Sequence, residues 1–553
     1  MKKRVVALFL AALMILSLCA CQNSTDDKKT TEAGGKTTQG QQQTDAPTEG
    51  GEPTTEEPKS AYPIVEEPIT IKVVAFPCDF SVSEERLVWQ KVEEITGINI
   101  EWEFIDAEAL PTYLAGGEWP DLFHMDMSNV LVEDYGVYGG RFVNFLDKLD
   151  IMPHLQTLLE DYPTAEKAFS ESNGEMYKLP AISKAVTNVY IRAFARTDLL
   201  DKAGVKMPTT VDEFAQALRD LKAYYGKAQW APNFNNETNA FEPLVYAAFG
   251  TDCDMSWNAD ANGKVVYAKT TDQTKHYYEF MNMLYEEGLI HPESATLSYD
   301  MRLEYEDKDV TFISSDKSTR LDTSYFENGV IQMAHLEPLT SKYDSTQKIL
   351  GRSSINRSSW SYYVNSESQY VDEICKMIDI VCAKEEVVEG SGLYGVSFNY
   401  GMQGEQWDFT EDGKAYELFA PESYNGSFSN YQTKELVYKN SGRFDVLGMM
   451  VTATPGNGQV RQMEFRDKVW PYVQTEEEIF PTSMLTFTED ENETINSVLT
   501  DINSYVKQMR VEFITGVTDI EAEWDNYCAT LEQMGLPDVV AAYQAAYDRW
   551  MAK

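Results

Sequence analysis

The chain has 553 residues, of which 46 are Lys or Arg and 89 are Asp or Glu, so its formal net charge is −43. A surface this acidic repels nucleic acid and anionic lipid headgroups, which excludes a role in binding DNA or RNA. Hydrophobic residues make up 43% of the chain, enough for a buried interior. Because the length exceeds what one core usually holds, we expect two lobes.

The first 20 residues have the pattern of a secretory signal peptide. A basic start at Lys2 is followed by an apolar run up to Leu18, and a small residue, Ala20, precedes Cys21. The run is shorter than the ~20 apolar residues of a membrane-spanning helix. The order Leu-x-Ala-Cys resembles the bacterial lipobox, in which the cysteine is diacylated and becomes the first mature residue; the alternative is an ordinary signal peptide that happens to contain cysteines. The lipobox interpretation predicts lipid attachment at Cys21 and a location on the outer face of the cell membrane.

The next segment, 21–61, is of low complexity. It consists mainly of Thr, Gln, Gly, Pro, Asp, Glu and Lys and holds no aromatic residue. Such a composition cannot bury enough apolar surface to offset the entropy of ordering. We therefore expect a lipidated, disordered tether that leads to the folded part of the chain.

Strands and helices alternate at the start of the folded part. Residues 69–76, 98–104 and 121–126 have the apolar and alternating patterns of strands, and helical patterns separate them. This order predicts parallel strands with right-handed crossovers, whose ligands lie beyond the carboxyl ends of the strands. Three residues at those ends are candidate ligand contacts: Asp79, His124 and Asp126.

Turn and capping signals organise the rest of the chain. Asn173-Gly174 predicts a hairpin turn, and Thr210 with Glu213 three residues later matches a capping box. A long amphipathic helix is expected over 371–388. Three further helices are expected at the C-terminus, over 493–513, 519–534 and 539–551.

Cysteine and histidine usage gives no sign of a metal or cofactor site. The cysteines beyond the lipobox are odd in number, which argues against a complete disulfide framework; they are Cys78, Cys253, Cys375, Cys382 and Cys528. There is no CxxC, and only five histidines are present. Asp260-Ala-Asn-Gly-Lys264 lacks the later Glu of a calcium loop and predicts a hairpin turn instead. We expect no metal and no cofactor.

Several stretches share the turns, caps and helix junctions of a known family. They are 93–100, 114–121, 173–180, 196–214, 284–289 and 524–536, of which 196–214 is the most specific. Together they resemble the extracellular solute-binding proteins of ABC importers, family 1, of the lipoprotein type found in Gram-positive bacteria. The resemblance covers nearly all of residues 68–553. It is silent on the ligand, because these stretches are mostly turns, caps and junctions.

The resemblance implies an α/β, two-lobe, type II periplasmic-binding-protein-like fold with an interlobe cleft and a helical C-terminal region. By analogy, 62–190 plus about 355–395 form the first lobe, and 191–354 plus about 396–553 form the second. Some oligosaccharide-binding relatives carry a calcium loop after the capping-box helix. Residues 224–232 hold no carboxylates at metal-ligand spacing there, so calcium is not carried over.

The resemblance also implies a function and partners. The chain would be a monomeric receptor, tethered through its lipid, that closes over an extracellular solute and delivers it to the permease subunits of an ABC importer. An oligosaccharide is the main hypothesis for the solute. A sugar site needs flat aromatic rings for the C–H faces and polar side chains for the hydroxyl rim. The further candidates of these types are Trp360, Trp230, Trp257, Trp407, Trp119, Asn233 and Arg192. Each Trp has the alternative of being part of the core, and Arg192 of pairing with an acid.

Two other classes of function stay open as alternatives. One is a secreted carbohydrate-active enzyme, such as a glycoside hydrolase that uses two carboxylates. The sequence holds no Gly-x-Ser-x-Gly, His-Glu-x-x-His or phosphate-binding loop, so we do not expect an enzyme. The other is a surface sensor or adhesin without a transport role, built on the same scaffold.

Overall fold

The chain divides into two units, Met1–Lys59 and Ser60–Lys553. A computed structural model describes segments of the second unit. The described residues are 61–77, 86–182, 194–228, 230–232, 242–252, 256–298, 301, 305, 312–314, 333–348, 355, 360–413, 415–425, 428–436, 442–443, 445, 451–452, 470–474 and 478–552. The predicted signal peptide and Cys21 lie outside them, as do Asp79, Arg192 and Asn233.

The strands form small sheets. In chain order they are β1 (Ile69–Ala75), β2 (Ile98–Phe104), β3 (Leu122–Met125), β4 (Phe194–Arg196), β5 (Trp257–Ala259), β6 (Val265–Tyr267), β7 (Ile313–Ser314), β8 (Met333–His335), β9 (Ser361–Val364), β10 (Trp407–Phe409), β11 (Ala415–Leu418) and β12 (Val451–Thr452). The sheet orders are β2-β1-β3-β9, β7-β4-β8, β10-β11-β12 and the pair β5-β6.

The α-helices are concentrated between the strands and at the C-terminus. In chain order they are α1 (Leu87–Thr96), α2 (Leu110–Ala115), α3 (Asn129–Val132), α4 (Pro153–Asp161), α5 (Pro163–Phe169), α6 (Thr197–Ala203), α7 (Val211–Tyr225), α8 (Glu242–Ala247), α9 (Asp272–Glu286), α10 (Val371–Asp379), α11 (Ser397–Tyr400), α12 (Phe428–Tyr431), α13 (Glu489–Thr515), α14 (Ile520–Gln533) and α15 (Leu536–Ala552). None of the helices in the described segments is both long and apolar enough to cross a membrane.

The four-stranded sheet confirms the predicted alternation of strands and helices. β1 pairs in parallel with β2 on one side and with β3 on the other. α1 makes the crossover and ends at Gly97, whose φ of 77° is a conformation that favours glycine. β9 joins antiparallel to β3, with Met125 opposite Ser361. The antiparallel edge strand therefore begins where the parallel strands end.

Two separate hydrophobic cores underlie the two lobes. The first core lies against the four-stranded sheet and includes Val73, Trp89, Leu155 and Ile378. The second core is built by α7, α9 and the C-terminal helices α13 to α15; its fully buried members include Phe214, Tyr277, Met281, Ile502, Phe513 and Leu531. Each core is enclosed by elements distant in sequence, so the chain passes between the lobes more than once.

Three passages of the chain lie side by side at the border of the first lobe. Ile182 forms an antiparallel bridge with Ile355 and a parallel bridge with Arg443. Further along, Tyr472 and Val473 pack against the second core. The predicted lobe boundaries stay a prediction. Among the described residues, Phe398 on α11 packs in the first core.

The helix predicted over 371–388 is shorter than expected. α10 ends at Asp379, and a 3₁₀ turn, Ile380–Cys382, follows it. The amide of Arg443 donates to the carbonyl of Val381, and the amide of Gly395 donates to that of Ala383. These long-range partners take carbonyls that a longer helix would use, and so the helix stops.

Two local turn predictions hold in part. Asn173-Gly174 forms a turn with a positive φ at Gly174, but no strands flank it among the described residues, so it is not a hairpin. Thr210 caps α7 by accepting from the amide of Glu213. The Glu213 carboxylate returns to the amide and hydroxyl of Thr209 rather than to Thr210, which is a variant of the predicted capping box.

A buried carboxyl group caps α4 from a distance in sequence. Asp379 is 2% exposed and accepts from the amides of His154 and Leu155, at 3.0 and 2.8 Å. Burial raises the pKa of Asp379 to about 7, although these two amides act in the opposite direction. The capping geometry is favourable for α4, but the charged form of the group is costly to bury.

We expect Asp379→Asn to change how stability depends on pH. The folded-state pKa lies above the unfolded value of ~3.9, so the folded chain binds more protons between about pH 4 and 7. The free energy of unfolding therefore falls as pH rises through that window, by on the order of 4 kcal/mol from this group. The asparagine side chain keeps an acceptor without the charge, and urea unfolding at a series of pH values should show a flatter profile.

Asp372→Asn is the matched control on the same helix. Asp372 is exposed, and its pKa is lowered by the hydrogen bond from Lys148, so its contribution has the opposite sign. A profile for Asp379→Asn that equals the parent profile would contradict the assignment of the pH dependence to Asp379.

Candidate functional site

The carboxyl edge of the four-stranded sheet brings together side chains from three separate parts of the sequence. Phe76 follows β1, Asp126 follows β3, and Trp360 precedes β9. Because β9 is antiparallel to β3 and Met125 is opposite Ser361, the next position in the register places Asp126 opposite Trp360. Open α/β sheets bind ligands at this edge. We call Phe76, Asp126 and Trp360 the edge site.

Trp360 is the central aromatic ring of the edge site. It is half-buried, and its ring meets Phe76 edge to face at a centroid distance of 5.8 Å. The ring of His124 also meets it edge to face, at a centroid distance of 5.7 Å and an interplanar angle of 71°. These contacts fix the orientation of the indole and leave part of it exposed to solvent. A partly exposed ring held in one orientation can receive the apolar face of a sugar.

His124 belongs to the support of the edge site. It is fully buried, stacks on Tyr362 at 4.3 Å, and its Nδ1 donates to the carbonyl of Ser361 at 3.3 Å. The imidazole therefore positions the start of β9, and with it Trp360. In this conformation a ligand cannot reach His124, although the residue is one of the candidate contacts predicted from the sequence.

Asp126 supplies the polar part of the edge site. Its side chain is exposed, yet the protein on one side removes enough water to raise the pKa of the carboxyl, while the nearby ammonium of Lys178 acts to lower it. Lys178 itself is 1% exposed. The hydroxyl of Ser361 donates to the carbonyl of Leu179 at 3.0 Å, which fixes this segment beside β9. Asp126 can thus accept hydrogen bonds from ligand hydroxyl groups.

Three of the candidate tryptophans lie in the protein interior. Trp230 is 2% exposed and meets Phe214 edge to face; Trp257 is 3% exposed and stacks on Tyr543 at 3.9 Å. Trp407 is fully buried, and its Nε1 donates to the carbonyl of Gly401. A ring enclosed in this way offers no face to a ligand in this conformation. The first two belong to the second core and Trp407 to a small separate cluster.

Trp119 is half-buried like Trp360 but lies at the other end of the same strand. It precedes β3, its Nε1 donates to the carbonyl of Leu114, and the guanidinium of Arg141 lies 4.2 Å above its ring. The structure therefore separates Trp119 from the edge site. Asp79, Arg192 and Asn233 lie outside the described residues, so their placement stays a prediction.

Phe76 and Lys178 are not among the candidate residues that the sequence patterns indicate. Phe76 follows a buried strand directly, the same signal that pointed to Asp79 three residues later. Lys178 had no signal of its own, because its position near Asp126 depends on long-range pairing. Among the described residues there is no group of three or more His, Cys, Asp or Glu arranged to hold a metal.

Comparisons with known proteins agree on one family. Residues 81–295 match the family model described as bacterial extracellular solute-binding protein. The chain is 23% identical over 496 residues to the fructooligosaccharide ABC transporter substrate-binding protein FusA of Streptococcus pneumoniae. This alignment covers 85% of this chain and 88% of FusA. The chain is also 23% identical over 216 residues to lipoprotein LipO of Bacillus subtilis, or 35% of this chain and 41% of LipO.

Solved structures share the fold over most of the chain. The structure of FusA in complex with kestose superposes on this chain with a TM-score of 0.63 at 22% sequence identity. The superposition covers 87% of this chain and 99% of the FusA chain. A solute-binding protein of Bifidobacterium longum infantis, described as HMO binding and ABC-transporter associated, has a TM-score of 0.66 at 20% identity and covers 88% of this chain and 99% of that one. These likenesses establish the two-lobe α/β fold.

Proposed function

Since the chain is homologous to the bacterial extracellular solute-binding proteins of ABC transporters, we propose that it is a receptor that captures an extracellular oligosaccharide and delivers it to an ABC importer. The ligand is held between the lobes, which close over it by a hinge motion. The chain performs no covalent chemistry on the ligand. Binding and release are its whole mechanism, and ATP hydrolysis elsewhere drives uptake.

The observation that carries the proposal is the pairing of Trp360 with Asp126 at the edge site. A sugar presents an apolar C–H face and a rim of hydroxyl groups, and an indole beside a carboxylate matches both. Phe76 extends the aromatic surface. The predicted boundary of the first lobe lies close to the edge site in sequence, since Ile182 bridges Ile355 and these two residues lie near Leu179 and Trp360. A ligand there would lie on the side of the first lobe that leads to the second.

The names of the relatives support an oligosaccharide over a peptide. FusA is a fructooligosaccharide-binding protein, and the similar Bifidobacterium protein is described as HMO binding. We propose an oligosaccharide as the class of ligand, without choosing among these sugars. An enzyme on this scaffold is less well supported, because its relatives are transport proteins.

The location outside the cell follows from the family, and the anchor is part of the proposal. LipO is named a lipoprotein, and Cys21 stands in a lipobox pattern of this chain. We propose that the lipid on Cys21 and the segment 21–61 tether a monomeric receptor close to its permease. A tether raises the effective concentration of the receptor at its partner.

A thermal-shift panel tests the proposed class of ligand. The panel contains kestose, longer fructooligosaccharides, milk oligosaccharides, N-glycan fragments and peptides. A ligand that binds only the folded chain stabilises it by RT ln(1 + [L]/Kd), about 2.7 kcal/mol at 100 times Kd, so one of the glycans should raise the Tm. If every glycan left the Tm unchanged while a peptide raised it, the oligosaccharide proposal would be refuted. Chromatography of the glycans after incubation would reveal any cleavage.

A further inference from the structure

The last turn of α15 lies between the two cores. Upstream residues of the helix, such as Val539 and Ala546, are buried in the second core alone. Trp550, two residues from the end of the helix, is half-buried and packs against both the first and the second core. A single side chain therefore belongs to the packing of both lobes.

The partner of Trp550 in the first lobe is Lys167. The ammonium of Lys167 lies 4.4 Å from the centroid of the Trp550 ring, within the range of a cation–π interaction. Lys167 is on α5, whose other face buries Ala165, Ala168 and Phe169 in the first core. The contact thus joins a helix fixed to one lobe with a helix fixed to the other.

The last turn of α15 is itself held in place. Arg549 donates to the carboxylate of Glu491 at 2.7 Å and to the carbonyl of Thr486 at 2.8 Å. Glu491 also completes the capping box of α13 with Thr488. Nearby, Met484 is buried in the first core although the next residue belongs to the second. The start of α13 and the end of α15 are therefore joined by hydrogen bonds at the border between the lobes.

We propose that Trp550 is a positioning residue: its contact with Lys167 limits how far the lobes open and thereby sets ligand affinity from outside the edge site. A half-exposed cation–π contact of ~0.5–1 kcal/mol corresponds to a two- to fivefold change in an equilibrium. Its loss lowers the population of the conformation that binds and weakens apparent affinity by that factor. The effect on affinity rests on the proposed function, whereas the effect on lobe opening does not.

The test measures lobe opening directly, in the full chain without ligand. Lys167→Gln removes the cation while Trp550 stays in place. We expect a larger radius of gyration in small-angle scattering and a two- to fivefold faster hydrogen exchange in α5 and in the last turn of α15. Lys167→Arg keeps a cation over the ring and should match the parent, as should Met551→Ala, which alters a residue that is 62% exposed.

A double-mutant cycle separates this role from a purely structural one. Trp550→Leu should open the lobes like Lys167→Gln, and the double variant should add no further opening, because both remove the same contact. Additive effects, or faster exchange throughout α13 to α15, would show that Trp550 only stabilises its own lobe and would overturn the proposal. So would scattering and exchange unchanged in Lys167→Gln. If the lobes open as expected but no glycan binds, the proposed function and the effect on affinity fail, while the role of Trp550 in limiting lobe opening stands.

Discussion

Replacing Trp360 with alanine should weaken binding of the oligosaccharide by about 30-fold, the equivalent of about 2 kcal/mol for a tryptophan at the centre of a binding site. The ring is half-buried, oriented by Phe76 and His124, and placed opposite Asp126. Its removal takes away the apolar surface on which the sugar would lie. Calorimetric titration with the glycan that raises the Tm most gives the affinity.

Trp119→Ala is the matched control for this variant. Trp119 is also a half-buried tryptophan of the first lobe, but it precedes β3 and so lies at the opposite end of that strand. We expect its replacement to lower the Tm somewhat while affinity stays within about twofold of the parent, since the lost contacts are internal. Parent-like affinity in Trp360→Ala, together with a large loss of stability, would mean that Trp360 is a core residue and not a ligand contact.

Arg443→Met should destabilise the first lobe by about 3–5 kcal/mol, the typical result of breaking a buried ion pair from one side. The Arg443 side chain is 1% exposed and makes two hydrogen bonds to Asp445, at 2.7 and 2.8 Å. It also donates to Asp161, and this hydrogen bond lowers the pKa of Asp161. Methionine fills a similar volume but removes the only cation paired with Asp445 among the described ion pairs, which leaves that carboxylate with the hydroxyl of Tyr162, while Asp161 keeps Lys384. Urea unfolding followed by circular dichroism measures the change.

Arg443 also has a backbone contact at the border of the first lobe. Its backbone bridges Ile182 at the point where three passages of the chain lie side by side. Lys91→Ala is the control, because the Lys91–Glu94 pair is solvent-exposed and should be worth less than about 1 kcal/mol. Adding Asp445→Asn to Arg443→Met should restore part of the stability by removing an uncompensated charge. A loss no larger than that of Lys91→Ala would contradict this account of the network.

Much of the first lobe could be predicted from local patterns. The apolar run over β1, the alternation in β2 and the left-handed Gly97 each have a signal a few residues long, and the parallel order follows from the helical connection between the strands. The C-terminal helices were likewise predicted, although α13 begins four residues before the expected start at 493, directly after its capping residue Thr488. The end of α10 was not foreseen, since it depends on hydrogen bonds to residues more than ten positions away.

The candidate site was harder to predict than the fold. The sequence around a single Trp does not show whether its ring lies on the surface or in the interior. The ring of Trp257, for example, is stacked on Tyr543 in the interior. Arg443 and Asp379 carried no sequence signal, although each holds together segments that are more than 200 residues apart. The roles of Arg443 and Asp379 depend on the groups to which they hydrogen-bond, and the packing of distant segments decides which groups these are.

The sequence by itself determined what short-range chemistry controls. Charge excluded nucleic acid, the order of strands and helices predicted the parallel sheet, and the family pattern predicted a two-lobe receptor. Only the tertiary structure decided which side chains meet. It placed Trp360 opposite Asp126 through the register of β9, it buried Trp230, Trp257 and Trp407, and it set Trp550 between the lobes. The physical reason is that burial and pairing depend on contacts between distant segments, which no local pattern of residues records.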